Sequence, residues 1–350
     1  MGKIEVEEQY FLHKKKRGID KRVVASLRDK IGVKNRSYSR RCQKLMTDFG
    51  IEESFSGAAY RMKEHHGVDI NISAIRRITE IHAGRAQDIM TAFAQEKRLV
   101  KQMTLEMDGE MVPLVEYGNG NDRRKSKRLF WAELRVGAAQ RHGEVEWKYG
   151  TSFKNADHLG DRMRVIMERM GMSEDTNVHG VGDGATWIPE QGEKIAGNNY
   201  SHLIDLYHLC EYLAKAVDGW SVDPEREVTS LKDRFEKGNG SGALKILKDR
   251  YKELPQHEGL RICIQYIENR PGQFEYKKAK QLGLPVGSGK IESTHRSLIQ
   301  KRLKKPGTWW RRDNATKMAD LRVARANNCW GHLWQQDLRK GRIPIFWVAA

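Results

Sequence analysis

The stretch "GLPVGSGKIEST", residues 283–294, sets a glycine-rich turn directly before Glu292, a lone acid that opens a basic helix. Such a turn can cradle a phosphate, or it can hold an active-site carboxylate beside a polyanion. A complete phosphate loop follows the pattern G-x-x-x-x-G-K-[ST]. Leu284 stands where that pattern requires its first glycine, and Ile291 stands where it requires a hydroxyl. The mismatch argues against an ATPase, so the carboxylate hypothesis depends on acids elsewhere in the chain.

The charge of the chain indicates a polyanionic partner. Among 350 residues there are 63 Lys and Arg against 46 Asp and Glu, a formal net charge of +17. No run approaches the roughly 18 apolar residues that a membrane span needs, and no apolar signal segment opens the chain. The four cysteines form no C-x-x-C pair, which argues against a zinc site or a disulfide framework. We expect a soluble, intracellular protein that faces nucleic acid.

The basic surplus is concentrated in two segments. Residues 11–45 hold thirteen Lys and Arg against two Asp, and residues 290–325 hold eleven against three acids. Apolar residues punctuate both segments, so we expect helices, although a merely solvated face is the alternative. Residues 1–50 are therefore predicted to form a basic N-terminal helical arm.

Residues 51–95 follow the order helix, turn, helix. Gly67 favours the end of "SGAAYRMKEHHG", and Ser73 is placed to cap "AIRRITEIHAGR". The expected exposed face of the second helix carries four basic residues: Arg76, Arg77, His82 and Arg85. This order predicts a helix-turn-helix DNA-binding region, with two ordinary packed helices as the alternative.

Residues 96–208 have the texture of a sheet. Three apolar, β-tolerant runs predict an antiparallel meander: "LVKQMTLEMDGEMVPLVEY", "LFWAELRVGAAQ" and "EVEWKYGTSF". A helix with a methionine-rich apolar face and two short buried strands follow. The whole segment therefore predicts a mixed α/β layer.

The remaining residues divide into three parts. Residues 209–283 predict a helical insertion, because Pro224 favours a helix start and glycine-rich breaks separate further helical runs. Residues 284–326 return to the core with the glutamate helix and the second basic segment. Residues 327–350 form a C-terminal tail.

Three acids are candidates for metal-assisted phosphoryl transfer, which needs carboxylates that converge from different elements. Asp108 lies in the first strand run, Asp183 follows a buried strand, and Glu292 begins the basic helix. Their oxygen ligands suit Mg²⁺ or Mn²⁺. Each acid has an alternative role, because Asp-Gly pairs suit turns and a glutamate suits a helix start. Asp205 and Glu211 also lie near element ends, so counting acids leaves the choice open.

Six motifs occur in an order that resembles bacterial insertion-sequence transposases of the ISKra type, over roughly residues 56–322. They are "MDGEMV" at 107–112, "GDGATWI" at 182–188, "DLYHLCEYL" at 205–213, "GLPVGSGKIES" at 283–293, "RLKKPGTWW" at 302–310 and "LR" at 321–322. The resemblance implies a DDE transposase: an α/β, ribonuclease-H-like mixed sheet with a helical insertion, preceded by an all-α helix-turn-helix region.

The resemblance also implies roles for single residues. Asp108, Asp183 and Glu292 are expected to be the catalytic triad that binds two Mg²⁺ or Mn²⁺ ions. Asp205 and His208 match an Asp-x-Tyr-His segment expected near the active site, although His208 could also be a strand-end histidine bonded to backbone. Basic residues are expected to contact DNA: Arg76, Arg77, Arg85, Lys290, Arg296, Arg302, Arg311 and Arg312.

The implied function is Mg²⁺-dependent cleavage at transposon ends and strand transfer into target DNA. The implied partners are double-stranded DNA, as terminal inverted repeats and as target, and a second copy of the chain, because two ends are handled together. The implied location is the bacterial cytoplasm, in association with the nucleoid, and no membrane is implied. A metal-dependent nuclease without strand transfer and a domesticated DNA-binding protein that no longer cuts are the alternatives.

Overall fold

A computed structural model describes residues 10–12, 23–25, 38–119 and 125–335. The chain forms two compact units. Unit 1 comprises Met1–Phe93, Pro113–Phe130 and Leu298–Ala350. Unit 2 comprises Ala94–Val112 and Trp131–Ser297. The domain boundaries expected from the sequence stay predictions.

The first described elements of unit 1 are two short strands. β1 (Tyr10–Leu12) and β2 (Val23–Ala25) pair in the antiparallel direction. The prediction of a helical arm is wrong at β2, because adjacent β-branched residues such as Val23 and Val24 favour extended backbone. The other residues of the arm before position 38 lie outside the described residues.

Three helices follow: α1 (Arg40–Glu52), α2 (Phe55–His66) and α3 (Ile72–Ala83). Gly67 ends α2 in the left-handed conformation at a φ of 61°. Asn71 caps α3 by accepting a hydrogen bond from the N–H of Ala74, so the predicted cap at Ser73 is displaced by two residues. The helices bury a common apolar core: Cys42, Met46, Ala58, Met62, Ile70, Ile75 and Ile78.

His82 does not lie on the exposed face of α3. Its Nε2 is 3.0 Å from Oε1 of Gln43, and its ring centroid is 4.6 Å from that of Trp334. Position 82 lies four residues after Ile78, so it continues the buried stripe of the helix. The sequence-based placement of this side chain was wrong.

The sheet of unit 2 contains five strands: β3 (Gln102–Tyr117), β4 (Lys127–Arg141), β5 (Trp147–Ser152), β6 (Asn177–Gly182) and β7 (Tyr200–Ile204). The distal ends of β3 and β4 belong to unit 1. The strand order is β5-β4-β3-β6-β7. β4 and β5 are antiparallel, whereas β3, β6 and β7 are parallel. The predicted mixed α/β layer is confirmed at this level.

Two helices pack on this sheet, α4 (Ala156–Arg169) and α5 (Trp187–Ala196). The methionine-rich face of α4 is buried as predicted, with Leu159, Met163 and Ile166 inside. The apolar periodicity therefore marks core packing.

Five helices occupy the region of the predicted insertion: α6 (Leu206–Val217), α7 (Pro224–Glu236), α8 (Gly240–Glu253), α9 (Glu258–Glu268) and α10 (Tyr276–Gln281). Asp223 caps α7 ahead of Pro224, as the sequence predicts. The helical region begins at Leu206, directly after β7.

The chain then forms α11 (Gly289–Thr294), a π-helical turn (His295–Gln300) and α12 (Lys301–Leu303), which together we call the glutamate helix. The last described elements of unit 1 are α13 (Arg312–Ala326) and α14 (Trp330–Gln335). None of the helices among the described residues combines the length and apolar character needed to cross a membrane.

Arg302 is not placed to contact phosphate, which corrects the prediction. It is 1% exposed, and its Nε donates to the carbonyl oxygen of Gly50 at 2.9 Å. Its guanidinium carbon lies 4.6 Å from the ring centroid of Phe55 and 4.8 Å from that of Trp310. Burial lowers the pKa of Arg302 to about 10. Position 302 follows the buried Leu298 by four residues, so the helix turns it inward.

Replacing Arg302 with methionine should therefore destabilise the protein in the absence of DNA. Arg302→Met leaves the Gly50 carbonyl unpaired and removes both ring contacts, which should cost about 2–4 kcal/mol in the free energy of unfolding. Urea unfolding measures this loss, and the exposed Arg77→Met serves as the control, expected to stay within about 0.5 kcal/mol of wild type. An equal loss in both variants would contradict the buried role.

Candidate active site

Asp183 and Asp205 directly follow the parallel strands β6 and β7, and Asp108 lies within β3, two residues past the end of its pairing with β6. The register pairs Glu106 of β3 with Val181 of β6, so two residues later Asp108 lies beside Asp183. The register of β6 with β7 ends at Gly182 and Ile204, so the next residues are Asp183 and Asp205. Neighbouring strands lie about 4.8 Å apart. Such an edge of parallel strands is where ligand sites form in α/β sheets.

Asp108 is held from two sides. Its Oδ1 accepts a hydrogen bond from the N–H of Gly109 at 2.6 Å, and its Oδ2 lies 3.0 Å from Nε2 of His295. The Nδ1 of His295 lies 3.6 Å from Oε2 of Glu110. His295 was missed from the sequence, although it follows Glu292 by three residues and so lies on the adjacent turn of the helix.

Glu106 is a second residue that the sequence analysis missed. It is 2% exposed, and its Oε2 accepts a hydrogen bond from the N–H of Ile291 at 2.8 Å. Burial raises the pKa of Glu106 to about 7, and the negative charge of Asp205 contributes to the rise. The available signal was its spacing of two residues from Asp108, which places both side chains on one face of β3.

Both carboxylate oxygens of Asp205 accept hydrogen bonds from the protein. Its Oδ1 accepts from the N–H of Tyr207 and thereby caps α6, while its Oδ2 accepts from both the N–H and the hydroxyl of Ser288. Its side chain is buried, at 2% exposure. His208, in the first turn of α6, places Nδ1 3.6 Å from Oε2 of Glu211. The structure thus places Asp205 in the row of acids, whereas the contact of His208 is with Glu211.

The glycine-rich turn gives its N–H groups to protein carboxylates. Ser288 donates to Asp205, and Ile291 donates to Glu106. These are the groups that would face a phosphate if the turn were a phosphate loop. The turn is therefore anchored from inside the protein.

Asp183 lies in a turn that α9 supports. Its Oδ1 accepts from the N–H of Ala185 at 2.9 Å, and its carbonyl oxygen accepts from the hydroxyl of Tyr266 at 2.9 Å. Arg270 donates to the carbonyl oxygen of Gly184 through Nε at 3.2 Å and Nη2 at 2.8 Å. Gly184 has a φ of +91°, and a Cβ there would meet Tyr266 and Arg270. This glycine is required by protein contacts.

Glu292 lies on a different flank of the glutamate helix from Lys290. Lys290 lies on the other flank, with Nζ 5.7 Å from the ring centroid of Trp147 and 5.5 Å from that of Tyr149, both on β5. Helical geometry separates Glu292 from Lys290 by about 200°. The Glu292 side chain is exposed.

The acids suit a hard cation, but they form no preassembled metal cluster. Within the part of the chain that the structure describes, no three His, Cys, Asp or Glu side chains are grouped to hold a metal ion. The carboxylates of Asp108, Asp183 and Glu292 have the donor chemistry that Mg²⁺ prefers. Glu106 and Asp205 instead point oxygens at backbone N–H groups. Metal binding therefore requires the first three side chains to converge.

The basic residues expected at DNA occupy different surroundings. Lys290 is half-buried over two aromatic rings, and Arg85 is half-buried after α3. The exposed arginines are Arg76 and Arg77 on α3, Arg296 on the glutamate helix, and Arg311 and Arg312 at the start of α13. Apart from Arg302, their DNA contacts stay predictions.

Glu106→Gln should change how stability depends on pH. The folded pKa of Glu106, about 7, lies above its ordinary value of 4.5. The folded protein therefore keeps the proton on Glu106 up to about pH 7, whereas the unfolded chain releases it near pH 4.5. The free energy of unfolding of the wild type accordingly falls as the pH rises between these two values. Glutamine does not ionise, so from about pH 5 to about pH 8 the variant should gain up to about 3 kcal/mol relative to wild type. Urea unfolding in a chelator measures this gain, and parallel pH curves would contradict it.

Comparison with known proteins gives a family match. A family model described as "Uncharacterised protein family (UPF0236)" matches residues 1–338. No curated protein matches the chain. Among solved structures, the Drosophila P element transposase strand transfer complex is similar at 9% identity and a TM-score of 0.33, covering 90% of this chain and 84% of that chain.

Proposed function

We propose that this chain, which belongs to the UPF0236 family of uncharacterised proteins, is a DDE transposase of the ISKra type that cleaves transposon ends and joins them to target DNA. The observation that carries the proposal is the row of acids at one sheet edge. Asp108 and Asp183 are neighbours on parallel strands, and the helix that bears Glu292 is bonded to β3. The six motifs in the order of that transposase type support the same proposal.

The strand order supports a ribonuclease-H-like core. Three strands joined by short connections lie on one side, and two parallel strands extend the sheet on the other. The first strand carries Asp108, and the first of the added parallel strands ends at Asp183. The helical insertion leaves after β7 and returns before the glutamate helix, as the resemblance implies.

The chemistry consists of two displacements at phosphorus. In cleavage, a water oxygen bonds to phosphorus at the transposon end while the bond to the 3′ oxygen breaks, which leaves a 3′-OH and a 5′-phosphate. In strand transfer, that 3′-OH bonds to phosphorus of the target strand and displaces the target's own 3′ oxygen. Two Mg²⁺ or Mn²⁺ ions, when held by Asp108, Asp183 and Glu292, supply the Lewis acidity for both steps.

The protein positions these groups. His295 holds Oδ2 of Asp108 and so fixes the plane of that carboxylate, whose remaining lone pairs stay available. Tyr266 and Arg270 hold the turn of Asp183. A Cβ at Gly289 would have no atom within 4 Å, so DNA can approach the backbone beside Glu292.

DNA-end recognition is assigned to a helix-turn-helix made by α2 and α3, with α1 packed behind them. The exposed Arg76 and Arg77 of α3 suit a major groove. Arg296 lies four residues after Glu292 and suits a phosphate near the scissile bond. Because two ends must be joined to one target, we assign a homodimer or larger assembly on DNA.

The triad assignment predicts loss of cleavage without loss of folding. Asp108→Asn, Asp183→Asn and Glu292→Gln should each lower Mg²⁺-dependent cleavage of end DNA by about 100-fold or more, because each removes charge that stabilises the transition state. Gel analysis of labelled end DNA measures cleavage, and circular dichroism checks folding. Asp249→Asn, an exposed pair partner of Lys252 on α8, is the matched control. Equal cleavage by all the proteins would refute the triad.

Strand transfer is tested separately with pre-cleaved ends. Wild type should join the 3′-OH of such an end to a target plasmid, whereas Asp183→Asn should not. Cleavage without joining would replace the transposase with a nuclease. If Asp183→Asn kept every activity of the wild type, a DNA-binding protein that no longer cuts would be the better description.

Salt dependence tests the role of α3. Arg76→Ala/Arg77→Ala should weaken end-DNA binding and lower the slope of log affinity against log salt by up to about 2, because each lost phosphate contact removes about 1. Fluorescence anisotropy over a salt series measures the slope. Arg226→Ala, exposed on α7, is the control and should leave it unchanged. An unchanged slope in the double variant would move DNA recognition away from α3.

A further inference from the structure

We propose that Glu106 is a positioning residue that fixes the glutamate helix over β3 and thereby sets where Glu292 meets Asp108. This inference rests on the proposed function, because it concerns the geometry of the same acids. It adds a residue that lies outside the DDE triad and acts through the backbone of its neighbour.

The hydrogen bond between Glu106 and Ile291 joins residues that are far apart in the sequence. Oε2 of Glu106 accepts the N–H of Ile291 at 2.8 Å, and the two residues are 185 positions apart. Ile291 itself is 2% exposed, so the hydrogen bond lies in the interior. Breaking this bond would leave the N–H of Ile291 and the carboxyl oxygen unpaired away from water, which is costly.

The bond restrains Glu292 because the two residues are adjacent on the helix. One turn later, His295 contacts Asp108. The glutamate helix is thus held on β3 at two points one turn apart. The two contacts restrain the rotation and the height of the helix over β3, and with them the position of Glu292.

The environment of Glu106 distinguishes it from a metal ligand. It is 2% exposed, whereas the side chain of Asp108 is 36% exposed. Its oxygen is directed at the amide of Ile291, and its side chain lies two residues before the row of aspartates on β3. A buried carboxylate without a donor would be costly, so the helix start and Glu106 require each other.

The test compares Glu106→Gln, which keeps an acceptor for Ile291, with Glu106→Met, which removes it at similar volume. Hydrogen–deuterium exchange of the peptide around Ile291 should rise about tenfold or more in Glu106→Met and stay near wild type in Glu106→Gln. Mn²⁺ binding, followed by electron paramagnetic resonance, should weaken about tenfold or more in Glu106→Met. The half-saturating Mg²⁺ concentration for cleavage should rise by a similar factor. Glu116→Met, exposed on the same strand, is the control for both.

The outcomes separate this proposal from the proposed function. If wild type neither binds Mn²⁺ nor cuts DNA, the proposed function fails, and exchange at Ile291 still shows whether Glu106 restrains the helix. If wild type does both and Glu106→Met matches it in Mn²⁺ binding and Mg²⁺ requirement, the positioning role is overturned. If Glu106→Met does not fold, Glu106→Gln decides: wild-type metal binding supports positioning, and a loss as large as that of Asp108→Asn overturns it.

Discussion

Buried carboxylates need hydrogen-bond donors, and in unit 2 a single turn supplies a donor to both Glu106 and Asp205. Both side chains are 2% exposed, and they accept from Ile291 and Ser288. Leaving either acid without a donor would cost several kcal/mol, on the order of the whole stability of a domain. The turn at residues 287–291 must therefore return to the same place on the sheet, and the candidate site depends on that return.

The same constraint explains how a large helical region can be inserted without disturbing the sheet. Asp205 caps the first helix of that region through the N–H of Tyr207 and accepts from Ser288 at its end. The N–H of Leu206 also donates to the carbonyl oxygen of Val286 at 3.0 Å. Exit and re-entry are thus tied at one point, and α9 returns from the inserted region to hold the carbonyl of Asp183. The insertion supports the site that it interrupts.

The sequence predicted the elements better than the contacts between them. The strands, the apolar face of α4 and the helical region follow from periodicity, which depends on neighbouring residues. The partners of Glu106, His295 and Arg302 lie 185, 187 and 252 positions away, beyond any local pattern. Arg302 is the clearest example. A basic residue in a basic segment predicts an exposed side chain, whereas the fold buries this one against Trp310 and Phe55.

The distribution of charge narrows where a polyanion can bind. Residues 206–282 hold 14 Lys and Arg against 12 Asp and Glu, so the helical region carries little of the net charge of +17. Many of its charges pair with each other on the surface, as Arg261 does with Glu258 and Lys280 with Glu236. Long-range attraction of DNA depends on unbalanced charge. Under the proposed function this attraction comes from the remaining basic segments, and the helical region contributes by holding the turn of Asp183.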